Sequence, residues 1–132
     1  MAHDNLDLIG RLLEAFNVKD LDRFADLTTP DFRWSPSMVA IEGEVFVGRD
    51  GIETYFARMI DGWDSFRVEG GALRDLGDRV FWSGRLEGRG RISGAPVTSP
   101  LDMLFTLSDG KVAEMRSFLD HDAALRAAGL GD

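Results

Sequence analysis

Cysteine is absent from the 132 residues, so neither a disulfide framework nor a thiolate metal site can form. Basic residues are scarce: 15 Lys and Arg stand against 23 Asp and Glu, for a net charge of −8. Phosphate backbones need a clustered basic surface, so no nucleic acid is expected as a partner. The same sign of charge disfavours an anionic membrane. No apolar run approaches the roughly 20 residues that span a bilayer. The opening "MAHDNLDLIGRLLEAF" has helical periodicity and lacks the apolar stretch of a signal peptide. A soluble, cytoplasmic protein is the expectation. Histidine is limited to His3 and His121. Although His121 stands between Asp120 and Asp122, no further ligand set accompanies it, so capping of a helix is the expected role there and no metal is expected. No cofactor is implied.

Other chemistries are excluded by what is missing around the residues that could begin them. Ser35, Ser83, Ser93, Ser99 and Ser117 have no histidine beside them to complete a nucleophilic triad. "GRGRISG" follows a strand pattern but opens no helix, so it reads as a turn and not as a phosphate loop. There is no repeat, low-complexity tract or linker, and residues 1–132 read as a single domain.

What is present falls into two halves. Leu6, Ile9, Leu12, Leu13 and Phe16 recur at three- and four-residue spacing and predict an amphipathic helix over 4–17. Leu21, Phe24, Ala25 and Leu27 predict a short second helix ended by "TTP". A short strand is expected at 31–34, and 37–48 reads as loop with some strand. Asp50 and Glu53 have capping-box spacing at the start of a third helix, which lines up Ile52, Phe56, Met59 and Trp63. Arg49, just before it, is expected to have a structural role at the helix start. From Ser65 the period changes to two, and four strands follow, joined by "LGDR", the looser "ISGAP" and "SDGK". Asp120 or Asp122 caps a last helix stopped by Gly129. The fold class is α+β, with helices packed on one face of a mainly antiparallel sheet.

This order of elements, with "GRDGIETYF" opening the third helix and "FTLSDGKVAEMRSFLD" closing the sheet, resembles the SnoaL-like branch of the nuclear transport factor 2-like superfamily. The resemblance runs from Leu6 to Leu130. It implies a cone-shaped α+β barrel with a pocket between helices and curved sheet, and a homodimer joined through the outer sheet face. Trp82, Leu86, Leu104 and Phe118 are the apolar residues expected on that face. The superfamily includes polyketide cyclases, ketosteroid isomerases and limonene-epoxide hydrolases, so fold leaves the chemistry open.

Laid on this chain, the isomerase positions fall at Leu12, at Ser35 or Pro36, and at Met103 or Asp102. Leu101, Met103, Phe105 and Leu107 form one apolar stripe, which places Met103 inward and Asp102 outward. The isomerase dyad is therefore missing. The epoxide hydrolase pattern puts Arg85 and Glu87 of "WSGRLEG" at its Arg-x-Asp positions, with Ser117, Trp34 and Pro36 where it has an aspartate, a tyrosine and an asparagine. On that carry-over Glu87 is the candidate acid–base, held by Arg85, and the pair points into the cone. A ladder of solvated charges, Arg85, Glu87, Arg89 and Arg91, is the competing account.

Leu13, Phe16, Trp34, Phe56, Met59, Trp63, Met103 and Ser117 are the candidate substrate-binding residues, though each reads equally well as core. The expected function is acid–base isomerisation or cyclisation of a small hydrophobic cyclic metabolite in an apolar pocket. The alternative is a non-catalytic ligand-binding or association module of the same fold.

Overall fold

The computed structural model describes residues 2–36 and 45–130, with side chains from Asn5 onward. Most of the ambiguous segment, 37–44, lies outside the described residues, as does the side chain of His3. Helix α1 (Ala2–Asn17) buries Leu8, Ile9, Leu12, Ala15 and Phe16 along one side; of the stripe its spacing predicts, Ile9, Leu12 and Phe16 are buried, and Leu6 and Leu13 are partly buried against the same core. Its last residue pairs with the sheet as a strand residue would. The Asn17 amide donates to the Val68 carbonyl and accepts from the Val68 N–H, both at 2.8 Å. Lys19 then adopts a φ of 61° and turns the chain into α2 (Leu21–Asp26). Asp20 caps that helix, accepting from the Arg23 N–H at 3.1 Å.

Two boundaries differ from expectation. "TTP" does not lie outside the sheet; it begins β1 (Thr28–Ser35). Pro30 is tolerated because pairing with the last strand lapses between Thr28 and Arg33, so no ladder bond needs its missing N–H. After β2 (Phe46–Val47), helix α3 (Gly48–Gly62) starts two residues before Asp50, and its N-cap, Val47, makes no side-chain cap. Asp50 therefore sits in the first turn. Arg49 joins α3 to α2, donating to Asp22 and, at 3.2 Å, to Glu53.

The remaining strands are β3 (Trp63–Asp75), β4 (Arg79–Gly90), β5 (Pro96–Ser108) and β6 (Lys111–Phe118). They form one open six-stranded sheet of order β2-β1-β6-β5-β4-β3, in which only β1 and β6 run parallel. Helices α1, α2 and α3 pack on the inner face, against Phe66, Val68, Val80, Trp82, Leu86, Leu101, Met103, Phe105 and Met115. No helix among the described residues is long and apolar enough to cross a membrane.

Contrary to expectation, the helices are not confined to one face. Helix α4 (His121–Ala128) crosses the outer face and covers Phe81, Leu104 and Phe118 with Ala124 and Ala128. Asp120 caps it and Gly129 ends it at φ 77°. Asp102 points outward as expected but is buried beneath this helix, accepting from His121 Nδ1 at 2.5 Å. The outer patch expected for dimerisation is corrected accordingly. Trp82 and Leu86 belong to the inner core, and Leu104 and Phe118 are already occupied by α4.

The sequence "EGG" breaks the β3–β4 register between Glu69 and Ala72, with Gly70 at φ 71° and Gly71 at φ 93°. A Cβ on Gly71 would run into the Trp82 indole and lie 2.8 Å from the Ser83 carbonyl. This bulge bends the edge strand around Trp82. Gly71→Ala therefore combines a disfavoured φ with overpacking, and is expected to lower unfolding free energy by about 2 kcal/mol or more. Urea denaturation is the check; an unchanged midpoint would show that Trp82 does not depend on the bulge.

Candidate functional site

The inner face of the sheet takes every second residue of each strand, and between it, α1 and α3 a hollow remains. Leu13 and Phe16 of α1 and Tyr55 of α3 bound it from above. Trp34 and Pro36 of the β1 end, Val68, Leu86, Leu101, Met103, Met115 and Ser117 bound it from the sheet. Its volume is about 20 Å³, which is room for one ordered water. A cyclic metabolite needs more, so a guest of that size enters only if side chains move. Met103 and Met115 are the walls best suited to this, because their unbranched thioethers change rotamer at little cost.

Five of the eight candidate binding residues, Leu13, Phe16, Trp34, Met103 and Ser117, meet around this hollow. Phe56 and Met59 are buried in the surrounding core without lining it, and Trp63 opens β3 with its ring over Gly88. Trp34 holds the upper wall together. Its ring stacks on Phe24 at 5.1 Å, meets Phe16 edge-on at 6.2 Å and lies against Tyr55 at 3.9 Å between centroids.

The expected inward orientation of Arg85 and Glu87 is not found. Strand β4 alternates without a break from Phe81, which lies beneath α4, so Ser83, Arg85 and Glu87 share that outer face. Trp82 and Leu86 face the core, with Gly84 and Gly88 leaving space for the rings of Trp82 and Trp63. The physical reason is volume. A strand with an indole and a leucine on one side buries that side, whatever charges occupy the other.

Outside, the charges are paired across strands. Arg85 donates to Glu87 at 2.7 Å and to Glu69 at 2.6 Å, and Arg67 reaches Glu69 at 2.9 Å. Its hydrogen bond to Glu87, and then the charges of Glu87 and Glu69, hold the Arg85 guanidinium above its ordinary pKa. Farther along, Arg91 donates to the carbonyls of Ile60 at 2.7 Å and Asp61 at 3.0 Å and so closes the last turn of α3. This series is a cross-strand charge ladder that also caps a helix; Arg85 and Glu87 do not line the apolar hollow, and Glu87 borders instead an open groove with Asn17, Lys19, Phe66 and Arg67.

One residue at the hollow escaped the sequence reading. Tyr55, the chain's sole tyrosine, is 5% exposed, and its hydroxyl has no hydrogen-bond partner among the described residues. Burial pushes its pKa up well beyond the tyrosine range, because a phenolate would lose its hydration there. The phenol therefore remains a neutral donor. The signal was available in the helical spacing, which puts Tyr55 beside Ile52, Phe56 and Met59 on the buried side of α3. No Asp, Glu, His, Lys or Arg is among the described residues that line the hollow. Among the described residues no group of three or more potential ligands could hold a metal ion.

Comparison with known proteins bears on this geometry. Residues 9–115 match the SnoaL-like domain. No curated protein matches the chain. Among solved structures, a nuclear transport factor 2-like protein of unknown function from Burkholderia pseudomallei superposes with a TM-score of 0.80 at 17% identity, covering 93% of this chain and 95% of that one. TerC, co-crystallised with polyporic acid, superposes with a TM-score of 0.79 at 22% identity, covering 91% of this chain and 94% of that one. A candidate SnoaL-like polyketide cyclase from Jannaschia sp. CCS1 is 28% identical with a TM-score of 0.71, covering 95% of this chain and 91% of that one.

The buried phenol makes a pH prediction. Above the ordinary tyrosine value of 10.0 the unfolded chain releases the Tyr55 proton and the folded chain keeps it. The folded state then binds more protons, so stability falls with rising pH, by about 1.4 kcal/mol per unit from this group alone. Tyr55→Phe should lack that component, read as the difference between the two proteins' urea curves from about pH 9 to about pH 11. Equal slopes, or phenolate absorbance appearing in the folded protein near its ordinary value, would contradict the burial assigned to Tyr55.

Proposed function

The chain belongs to the SnoaL-like domain family, and we propose that it binds a small hydrophobic molecule in the hollow between α1, α3 and the inner sheet face. The observation that carries this is the lining itself: its described residues are apolar and aromatic, with hydroxyls from Tyr55 and Ser117 and no ionised group among them. Such a surface gains from covering an apolar ring, and its described residues offer no charge to attract an ion. That TerC was crystallised with polyporic acid supports small-molecule binding on this fold.

General acid–base catalysis needs a group that takes up or releases a proton within reach of the substrate. With no ionisable carboxylate, imidazole or amine among the described residues at the hollow, a non-catalytic ligand-binding module is the reading we favour, and Arg85 and Glu87 take no part in it. The likeness to the candidate polyketide cyclase favours a second reading, isomerisation or cyclisation of a hydrophobic cyclic metabolite in the same hollow. Homodimer formation has lost the outer patch that argued for it and forms no part of the proposal.

Binding of naphthalene and indole, followed by isothermal titration or ligand-observed NMR, tests the reading. Ser117→Leu extends a half-buried side chain into the hollow and should weaken both by about tenfold or more, by analogy with the cost of overpacking. Glu87→Gln should change neither by more than about twofold, because it alters only an exposed ion pair. Absence of binding to the wild-type chain up to the solubility of both compounds would refute the proposal. A turnover found with any substrate and lost in Glu87→Gln would restore the catalytic role of that carboxylate.

A further inference from the structure

We infer that the groove at the β3 edge of the sheet is a site for a small oxyanion, a carboxylate or phosphate group, held by Lys19, Arg67 and Arg89. The groove has a volume of about 430 Å³ and shares no lining residue with the hollow. Beside the three cations it is bounded by Asn17, Ser65, Phe66 and Glu87. Three positive groups thus meet one carboxylate, in a chain whose net charge is −8. Strand register brings two of them together. Ser65 stands opposite Arg89 and Arg67 opposite Glu87, so Arg67 and Arg89 are diagonal neighbours on one face. The carboxylates nearby are already engaged, Glu87 by Arg85 and Glu69 by both Arg85 and Arg67. Lys19 and Arg89 donate to backbone carbonyls and, among the described residues, to no carboxylate.

The third cation is fixed in place before any guest arrives. Lys19 follows α1 in the left-handed region, at φ 61°, a position that glycine or asparagine usually fills. Its side-chain nitrogen donates to the Asn17 carbonyl at 2.9 Å and to that of Phe66, and lies 4.1 Å from the centre of the Phe66 ring. An ammonium has three hydrogens, so one is left for a guest. A cation suits a helix C-terminus, and that alone accounts for a lysine after α1. It does not account for a second cation set against the first. Burial, and then the charge of Arg67, hold the Lys19 amine below its ordinary pKa, so the two groups oppose each other in the free protein. An oxyanion between them removes that opposition and takes charge-assisted hydrogen bonds from both. A cationic guest would add to it, and a neutral apolar one would leave it in place.

The sequence makes the test clean, because it holds only two lysines, Lys19 and the exposed Lys111 at the start of β6. Labelling lysine therefore gives one NMR reporter in the groove and one reference away from it. Inorganic phosphate and acetate are the probes, titrated separately into the intact chain at constant ionic strength and pH. At least one should shift the Lys19 signal saturably, with Lys111 little affected, and the tighter of the two identifies the group preferred. Lys19→Asn suits the left-handed backbone and removes the amine; Arg67→Gln removes the opposing charge. Each should weaken the anion by about tenfold or more, the range of a hydrogen bond to a charged group, followed at the Ser65 and Gly88 amides. Lys111→Gln should change affinity by no more than about twofold, because an exposed charge that far away is screened. Shifts that grow linearly with either anion, or equally at both lysines, would mean screening by salt alone and would overturn the inference. Unchanged affinity in both groove variants would overturn it as well.

Discussion

The Trp34 indole is the part on which the other elements converge. It lies within 6.2 Å, ring centre to ring centre, of Phe16 from α1, Phe24 from α2, Phe32 from its own strand and Tyr55 and Phe56 from α3. Three helices are thus registered against β1 through one side chain that is 1% exposed. Aromatic rings of this size dominate core energetics and prefer edge-on and offset contacts, which fix relative angles as well as distance. The hollow is a consequence. With the helices held by these rings and the end of α1 tied to β3 by the Asn17–Val68 amide pair, the methionines and leucines of the lining close the space only partly.

The same constraint explains how the two faces of β4 are used. Trp82 and Leu86 must go inward to meet this core, and the glycines at 84 and 88 let them and Trp63 lie flat against the strand. The outer side is left to Ser83, Arg85 and Glu87, whose charges find complements on β3, where Arg67 stands opposite Glu87 and Glu69 opposite Arg85. An Arg and a Glu two residues apart on an aromatic strand therefore report a well-paired wet face. Toward the middle of the sheet that face is dry again, because α4 covers it, and its exposed His121 reaches the buried Asp102 beneath.

Most of the architecture was legible in the sequence because period and punctuation agreed there. The long strands after Ser65 and the last helix, with Asp120 before it and Gly129 after it, lie where patterning puts them. Where a local signal had a tertiary competitor, it misled. Pro30 reads as a breaker, yet sits at a lapse in strand pairing, and the Asp50–Glu53 spacing reads as a cap although Gly48, at φ 65°, starts the helix earlier. Alternation sorted the β4 side chains correctly into two sets. Choosing the inner set needed the apolar volume of each to outweigh a motif match. Met103 was placed inward on such a stripe and lies there, whereas Glu87 was placed by carry-over from another chemistry. Tyr55 went unnoticed because a buried hydroxyl becomes informative only when its partners are known.

The account turns on whether small apolar molecules enter the hollow, and the methionine methyl groups report that directly. Met103 and Met115 line it, while Met59 is buried nearby without lining it. With methionine methyls labelled, methyl NMR spectra during an indole titration should show saturable shifts of Met103 and Met115, with Met59 little affected. Contacts from the ligand ring to the first two methyls should accompany them. Shifts confined to other methyls, or no saturable shift at all, would place the ligand elsewhere or nowhere and contradict the account.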